Sequence, residues 1–292
     1  MKPVLVTGGS GQVGQSLARV APAGLELVLP SRAEMDLSDP VSIDAMVASR
    51  DWAAVISSGA YTVVDKAESD VANAWAANAV GPAALAAATA QAEIAILHLS
   101  TDYVFDGTGE GFYTEDSPVA PIGVYGASKE GGEQAVRTAN PKHVILRTAW
   151  VVSPFGNNFV KTMLRLGADR PLLRVVGDQY GCPTSALDIA ATLLAIVGQL
   201  GENTPWGTYQ FVNAGEANWH DLACAVLDRA ASKGLPRPQI DAITTAEYPT
   251  PARRPANSRL STAKLEAAFG IRPRPWRAAI DDIVDELIGG RP

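Results

Sequence analysis

A tyrosine and a lysine four residues apart are the most chemically distinctive pair in this sequence. Tyr125 and Lys129 stand at the start of a predicted helix, where this spacing places both side chains on one helix face. A phenol with a pKa of about 10 exchanges protons poorly at neutral pH, but a neighbouring ammonium favours the phenolate. We therefore expect Lys129 to lower the pKa of Tyr125 and make it a usable general acid or base.

Thr101 is the third candidate catalytic residue. It lies in Leu99-Ser100-Thr101-Asp102, at the end of the predicted fourth strand, and α/β sheets bind ligands at the carboxyl edge. The Thr101 hydroxyl could then hydrogen-bond the carbonyl oxygen that Tyr125 protonates. A tyrosine and a lysine at this spacing also occur by chance in helices, where the tyrosine ring is simply packed against its neighbours. The presence of Thr101 favours the catalytic interpretation.

A glycine-rich turn follows the first predicted strand and leads into the first predicted helix. It reads Thr7-Gly8-x-x-Gly11-x-x-Gly14. Gly8 permits a tight turn, Gly11 lets the backbone approach a pyrophosphate, and Gly14 lets the helix pack closely on the sheet. The helix N-terminus would offer free N–H groups to the phosphates. This position between a strand and a helix predicts dinucleotide binding.

The end of the second predicted strand bears on the choice of cofactor. An NAD-preferring fold usually carries an acidic residue there for the ribose 2′-hydroxyl, whereas this sequence has Leu29-Pro30-Ser31-Arg32. Ser31 and Arg32 could instead bind a 2′-phosphate, through a hydroxyl donor and a bidentate guanidinium. We predict NADPH as the cofactor, with NADH as the other possible hydride donor. The alternative is that Arg32 is a solvated loop charge.

Short apolar runs alternate with helical patterns through the first half of the chain. The strand runs are apolar at both alternations, which suits a parallel sheet covered by helices on both faces. We therefore predict an α/β fold with a Rossmann-type doubly wound parallel sheet. The strands are expected at Val4–Val6, Leu25–Leu29, Val55–Ile56, Ile94–Leu99 and His143–Leu146, and the helices at Val13–Val20, Val41–Val47, Val71–Ala90 and Ala127–Thr138.

After Trp150 this rhythm loosens. Two stretches rich in Gly, Pro and Asn, at 153–158 and 177–183, indicate loops between further helical patterns. We assign 1–150 to an NAD(P)-binding Rossmann domain. Residues 151–292 are assigned mainly to a smaller, loop-rich α/β substrate-binding region, interleaved with the first.

Composition and charge exclude several classes of protein. The chain has 292 residues, of which 47% are apolar and 19% charged, as in globular enzymes and unlike disordered or coiled-coil proteins. The net charge of −7 is spread along the chain without a basic cluster, so we expect no nucleic-acid partner. No secretory signal or membrane-spanning stretch is visible, and we expect a cytoplasmic protein.

Taken together, these motifs resemble the extended, nucleotide-sugar-modifying branch of the short-chain dehydrogenase/reductase superfamily. Longer strings make the resemblance more specific, and it spans nearly the whole chain. They are similar to the dTDP-4-dehydrorhamnose reductase family at Gly11–Gly14, Thr62–Glu68, Ser100–Gly107, Gly177–Thr184 and Ala252–Leu260. The resemblance implies that NADPH or NADH delivers hydride to C4 of dTDP-4-dehydro-L-rhamnose while Tyr125 protonates O4.

The resemblance also assigns binding residues along this chain. The positions matched to the cofactor, together with those of the glycine turn and the second strand, are Gly8, Gly11, Gln12, Val13, Gly14, Ser31, Arg32, Asp36, Leu37, Gly59, Ala60, Thr62, Tyr125 and Lys129. The positions matched to the substrate are Thr101, Asp102 and Trp150, with Arg253 and Arg254 as candidate pyrophosphate ligands. For Trp150 the alternative is a core aromatic residue, and for the two arginines it is solvated loop charges.

The sequence departs from the family pattern at two places. Ser57-Ser58-Gly59-Ala60 replaces an Asn-Ala-Ala-type string, and Tyr61 stands where His is common. Some members are thought to bridge a dimer with magnesium held partly by an acid in the first helix. This helix has none, so we expect no such metal, although a homodimer is possible.

Three other functions stay open at this point: another nucleotide-sugar 4-ketoreductase, a 4-epimerase, or a non-catalytic regulatory subunit of the same fold.

Two smaller interpretations concern side chains outside the catalytic set. Asp65 and Glu68 have the spacing of a capping box and should simply start the third helix. Asn78 lies within a predicted helix, where it either orders the helix or holds a proton-relay water.

Overall fold

The computed structural model describes residues 2–290, and a six-stranded parallel sheet forms its centre. The strands in chain order are β1 (Val4–Thr7), β2 (Leu27–Val28), β3 (Ala54–Ser57), β4 (Ile96–Thr101), β5 (His143–Thr148), β6 (Val151–Val152), β7 (Leu172–Val176), β8 (Tyr180–Gly181), β9 (Thr184–Ser185), β10 (Gly207–Gln210), β11 (Ala217–Asn218), β12 (Gln239–Ile243) and β13 (Asn257–Ser258). The helices are α1 (Gln12–Val20), α2 (Pro40–Ala48), α3 (Val64–Ala67), α4 (Val71–Trp75), α5 (Gly81–Gln91), α6 (Val124–Ala139), α7 (Phe159–Asp169), α8 (Ala186–Val197), α9 (Trp219–Ser232), α10 (Ala263–Phe269) and α11 (Trp276–Gly289).

The strand order of the central sheet is β10-β5-β4-β3-β1-β2, and all its neighbours pair in parallel. From β1 the chain first adds β2 on one side and then returns to add β3 on the other. The carboxyl ends of β1 and β3 therefore form a topological switch point, where sheets of this kind bind ligands. The predicted doubly wound parallel sheet is confirmed.

Both faces of the sheet are covered, because alternate side chains of each strand point to opposite sides. On one face, Val4 and Val6 of β1 pack in a core with Leu17 of α1 and with α8. On the other face, Leu5 packs in a core with Ile43 of α2 and with α5. Apolar residues at both alternations are thus required by two buried faces.

The helix predicted at Val71–Ala90 is interrupted. Residues 76–80 form a π-helical turn between α4 and α5, in which the Gly81 N–H bonds the Ala76 carbonyl five residues earlier. Pro82 has no N–H, so it cannot donate to the carbonyl of Asn78 four residues before it. The Asn78 carbonyl therefore lacks its normal helical donor. The apolar pattern of the sequence continues through this break and does not reveal it.

The second half of the chain returns to the central sheet before it builds its own core. β10 pairs with β5, and α8 packs beside α1. A separate core lies among α7, α9 and α11, with Val160, Leu222 and Ile280 among its buried residues. Three small sheets, β11-β8-β13, β12-β7 and β6-β9, link it to the rest. Among residues 2–290, no helix combines the length and the apolar character needed to cross a membrane.

A buried ion pair joins α6 to the central sheet. The side chains of Glu133 and Arg147 are 1% and 2% exposed, and the Arg147 guanidinium donates to both Glu133 carboxylate oxygens at 2.8 and 2.6 Å. The guanidinium also lies 5.1 Å from the centre of the Phe105 ring. Removing either partner of such a pair would leave a charge in the core without compensation.

We predict that Glu133→Gln lowers the free energy of unfolding by about 3–5 kcal/mol, because it leaves the Arg147 charge buried and unpaired. Urea unfolding followed by circular dichroism measures the change. The matched control is Glu26→Gln, which breaks an exposed pair with Arg50 and should cost less than about 1 kcal/mol. Equal losses in the two variants would contradict the importance assigned to the buried pair.

Candidate active site

A cavity of about 660 Å³ opens at the carboxyl ends of β1, β3, β4 and β5. It lies at the switch point of the sheet, and most of the predicted site residues come together there. Those that line it are Gly8, Gly11, Gln12, Val13, Gly14, Gly59, Ala60, Thr62, Thr101, Asp102, Tyr125, Lys129 and Trp150. Ser31, Arg32, Asp36, Leu37, Arg253 and Arg254 do not line it.

The glycine-rich turn has the backbone that its sequence predicts. Gly8 has a φ of +73°, which is the left-handed region that glycine adopts without a steric penalty. A β-carbon at Gly8 would lie 2.6 Å from the backbone of Gly59, so the turns after β1 and β3 touch. Gly11 is the N-cap of α1 and offers no side-chain cap, which leaves the first N–H groups of the helix available to an anion.

Gln12 also connects the glycine-rich turn to the second half of the chain. Its side-chain oxygen accepts hydrogen bonds from the Ser153 hydroxyl at 2.8 Å and from the Asn158 amide at 3.0 Å.

The described part of the chain holds no group of three or more His, Cys, Asp or Glu side chains that could bind a metal ion.

Lys129 is buried beside the end of β4. Its ammonium donates a hydrogen bond to the Leu99 carbonyl at 2.6 Å, and the residue is 3% exposed. Burial lowers the pKa of Lys129 to about 8, although the carboxylate of Glu133 one helical turn away acts in the opposite direction. Near neutral pH this lysine is still mainly a cation.

The expected direction of the Tyr125 pKa shift is wrong. Burial raises the pKa of Tyr125 to about 12, the Asp102 charge adds to the rise, and a hydrogen bond with Thr101 opposes it. The ammonium of Lys129 is turned to the Leu99 carbonyl, and removal of the phenol from water dominates. Tyr125 is therefore a protonated phenol at neutral pH. The ring of Tyr103 packs edge-on against it, with 5.5 Å between the ring centres.

Thr101 and Asp102 form a hydrogen-bonded unit at the floor of the cavity. The Thr101 hydroxyl donates to the Asp102 carboxylate at 3.0 Å and accepts from the Tyr103 N–H at 3.2 Å. Burial raises the pKa of Asp102 to about 6 and outweighs the hydrogen bonds from Ser258 and Thr101 that favour the charged form. Asp102 is 2% exposed, so this carboxylate is almost entirely shielded from water.

Helix α6, which carries Tyr125 and Lys129, lies unusually close to its neighbours. A β-carbon at Gly126 would fall 2.1 Å from the Tyr103 carbonyl oxygen, and one at Gly132 would fall 2.1 Å from that of Asn78. Only glycine permits both approaches.

Asn78 has an ordering role. Its amide accepts from the Tyr61 N–H at 2.8 Å and donates to the Tyr61 carbonyl at 3.1 Å and to the Ser128 hydroxyl at 3.0 Å. Three protein groups thus occupy this side chain. It fixes the loop after β3 against α6. The geometry therefore favours the interpretation that Asn78 orders this region over the one in which it holds a proton-relay water.

Each of the two predicted 2′-phosphate residues, Ser31 and Arg32, donates to a nearby carboxylate. Arg32 donates to Asp36 at 3.1 Å, and the Ser31 hydroxyl donates to Glu34 at 2.8 Å. Hydrogen bonds from Ser38 and Arg32 lower the pKa of Asp36 to about 2. The Arg32 side chain is 83% exposed, so a bound phosphate could draw it from Asp36 at little cost.

Leu37 and Arg253, two predicted binding residues that do not line the cavity, have different surroundings. The Leu37 side chain packs against Gly59, where a β-carbon would lie 2.7 Å from it, and so borders the cofactor side of the cavity. Arg253 is exposed in the loop after η3, the short helical turn Thr245–Glu247.

The capping-box interpretation of Asp65 and Glu68 is wrong. The Asp65 carboxylate accepts two hydrogen bonds from Arg254, at 3.0 and 2.9 Å, and one from the Ala252 N–H at 3.2 Å. Glu68 accepts from the Val124 N–H at 2.9 Å, directly before Tyr125. Both acids therefore hold distant segments. Neither caps α3 or α4, the helix that begins at Val71 as predicted, because the N-caps of both make no side-chain hydrogen bond.

Sequence reasoning missed three aromatic residues of the cavity. Trp219, Phe159 and Tyr103 line it, and Trp219 stacks on Trp150 with 3.6 Å between the ring centres. The available signal was weak. Trp219 directly follows Asn218, the N-cap of α9, and an aromatic residue at a helix start more often packs in a core.

Comparison with known proteins agrees with this geometry. A family model described as the RmlD substrate binding domain matches residues 1–288. The dTDP-4-dehydrorhamnose reductase of Aggregatibacter actinomycetemcomitans is 43% identical over 289 residues, which cover 97% of this chain and 98% of that protein. This chain belongs to the dTDP-4-dehydrorhamnose reductase family. The enzyme of that name from Salmonella typhimurium is 39% identical, with 97% of each chain covered.

Solved structures of the dTDP-4-dehydrorhamnose reductase family have the same fold. The protein from Clostridium acetobutylicum matches with a TM-score of 0.92 and 34% identity, over 98% of this chain and 99% of that one. The protein from Bacillus anthracis, solved in complex with NADP, also has a TM-score of 0.92, with 30% identity and the same coverage.

We predict that Asp65 and Arg254 act on stability as one unit. Asp65→Asn and Arg254→Gln should each destabilise the protein, and the double variant should lose less than the sum by about 0.5–1 kcal/mol, because the pair is only partly buried. Urea unfolding of all four proteins gives this coupling. Additive losses would show that Arg254 is independent of Asp65, as expected of a residue kept only to bind pyrophosphate.

Proposed function

We propose that this protein reduces the C4 keto group of dTDP-4-dehydro-L-rhamnose to give dTDP-L-rhamnose, with NADPH as the hydride donor. The observation that carries the proposal is the meeting of Thr101, Tyr125 and Lys129 with the glycine-rich turn in one cavity. The names of the relatives support the reaction, and the chain shares nearly its full length with them.

The residues of the switch point fit a dinucleotide. Gly8 and Gly59 leave backbone, with no side chain, at the place where the turns after β1 and β3 touch, and the uncapped first turn of α1 presents its N–H groups there. When bound, NADPH supplies the hydride that reaches C4. Ser31 and Arg32 hold the 2′-phosphate in this proposal, and the NADP complex of the Bacillus anthracis relative supports that choice.

Tyr125 is the proton donor to O4. Because its pKa is raised to about 12, the phenol keeps its proton at neutral pH, and reduction of a ketone needs a donor in that state. Thr101 lines the same cavity and would donate to O4 by turning its hydroxyl from the Asp102 carboxylate that it contacts in this structure. Lys129 lies one helical turn beyond Tyr125, and its ammonium would stabilise the phenolate by turning from the Leu99 carbonyl that it contacts in this structure.

Asp102 and Trp150 contact the nucleotide sugar. At neutral pH Asp102 is mostly a carboxylate, because its pKa of about 6 lies below that pH, and it can accept hydrogen bonds from sugar hydroxyls. Arg253, exposed in the loop beyond the cavity, is available to the pyrophosphate as a solvated cation. Arg254 supports that loop through Asp65.

The reaction is tested by following NADPH absorbance with dTDP-4-dehydro-L-rhamnose and with its UDP and GDP analogues. We expect the dTDP sugar to be reduced fastest, and Tyr125→Phe to lower kcat by about 100-fold or more because the proton donor is lost. Tyr248→Phe, at an exposed tyrosine, is the control. Full activity without the Tyr125 hydroxyl would refute the assigned role, and a 4-epimerase would consume no NADPH.

We further predict that Arg32→Ala lowers the ratio of kcat/KM for NADPH to kcat/KM for NADH by about 10-fold or more, because a charge-assisted contact with the 2′-phosphate is lost. Steady-state kinetics with each cofactor measure the ratio, and Arg50→Ala, at another exposed arginine of this half, is the control. Equal kcat/KM values for both cofactors in the unmodified protein would contradict the NADPH preference itself.

A further inference from the structure

Trp150 holds a backbone conformation that is rare for a large side chain. Its φ is +48°, and among the described non-glycine residues only Glu93 shares a positive value. Such a conformation persists where surrounding contacts fix it, and it is found most often at functional sites. The Trp150 carbonyl accepts a hydrogen bond from the Thr184 N–H at 3.1 Å, which fixes one side of the residue.

The indole ring of Trp150 is packed from two directions. Trp219 stacks on it with 3.6 Å between ring centres and 9° between the ring planes. Gly181 lies so close that a β-carbon there would fall 2.4 Å from Cε2, nearer than to its bonded neighbours Nε1 and Cζ2, at 2.7 and 2.8 Å. That order of distances indicates an approach over a ring face. With Trp219 on one face and Gly181 on the other, the ring can meet a ligand only with its edge.

Trp219 is itself held in place. Its indole N–H donates to the Gln179 side chain at 3.1 Å, and Gln179 donates to the Thr245 hydroxyl at 3.0 Å. Gln179 is 5% exposed, and Phe159 packs against Trp219 with 4.8 Å between ring centres. Strand β8 contains Gly181 and pairs with β11, which ends directly before Trp219, so one small sheet brings both neighbours of Trp150 together.

We propose that Trp219 is a positioning residue that sets the affinity for the nucleotide sugar by holding Trp150 edge-on to the cavity. This inference rests on the proposed function, in which Trp150 contacts the substrate. Trp219 acts through Trp150, so its loss frees the ring to turn and relaxes the positive φ. The substrate then meets a mobile surface in place of a fixed edge. The cofactor side, where Gly8 and Gly59 lie, is unaffected.

The main variants are Trp219→Leu, which removes the stack but keeps an apolar side chain, and Trp219→Phe, which keeps an aromatic face. We expect Trp219→Leu to raise KM for the dTDP sugar about 10-fold, with kcat within about 2-fold, because a misplaced contact weakens binding before it affects chemistry. KM for NADPH should not change, and Trp219→Phe should restore most of the affinity. Trp75→Leu, at an exposed tryptophan outside the cavity, is the control.

Near-ultraviolet circular dichroism gives a second readout, because two stacked indoles couple optically. The coupled signal should disappear in Trp219→Leu and persist in Trp75→Leu. If the signal disappears and KM for the dTDP sugar stays at its original value, the proposal is overturned. It is also overturned if both KM values rise together with a lower Tm, since that pattern indicates a merely structural role.

Gly181→Ala tests the opposite face of the ring and covers the case in which Trp219→Leu does not fold. The new methyl group would displace Trp150, so KM for the dTDP sugar should rise while KM for NADPH stays constant. Gly201→Ala, where nothing lies within 4 Å, is the matched control. Calorimetry with dTDP-L-rhamnose needs no turnover. A wild type that binds it but oxidises no NADPH would refute the proposed reaction alone, and weaker binding by the variants would still support the role of Trp219.

Discussion

The close approach of α6 to the segments beside it is the constraint on which the site depends. Gly126 and Gly132 each lie against a backbone carbonyl oxygen of a neighbouring segment. A β-carbon at either position would be only 2.1 Å from that oxygen. At this depth Lys129 reaches the Leu99 carbonyl at 2.6 Å. Glu133, one turn further, reaches Arg147 on β5. A helix held farther away by side chains would lose both contacts, and Tyr125 would no longer be fixed at the end of β4.

Burial of charge along this helix explains the electrostatics of the site. Lys129 and Glu133 are separated by one turn and are both removed from water, so each needs compensation within the protein. Arg147 compensates Glu133 with two hydrogen bonds, whereas Lys129 has a single carbonyl and the more distant Glu133 carboxylate. The weaker compensation appears as a pKa of about 8 for Lys129. The Glu133 carboxylate therefore bonds Arg147 directly and acts on Lys129 only through its charge.

Local patterns predicted the features that local chemistry determines. The turn at Gly8 needs a positive φ wherever it occurs, and a tyrosine and a lysine four residues apart share a helix face in any protein. The Asp65–Arg254 pair spans 189 positions, and the stack of Trp150 on Trp219 joins segments far apart in sequence, so no spacing rule could find them. The direction of the Tyr125 pKa failed for the same reason, since it depends on how deeply the assembled protein buries the phenol.

The raised pKa of Tyr125 keeps the phenol protonated, which is the state from which the reduction of a ketone starts. A general base that starts an oxidation must be a phenolate, and with a pKa of about 12 that form is scarce at neutral pH. A reduction starts from the phenol, which is the abundant form. Lys129 need only stabilise the phenolate after the proton has moved, when the phenolate's negative charge adds to the attraction on the buried ammonium. In the reverse reaction the same oxygen must accept the proton, so burial of Tyr125 sets the protonation state at the start of the reaction and not its direction.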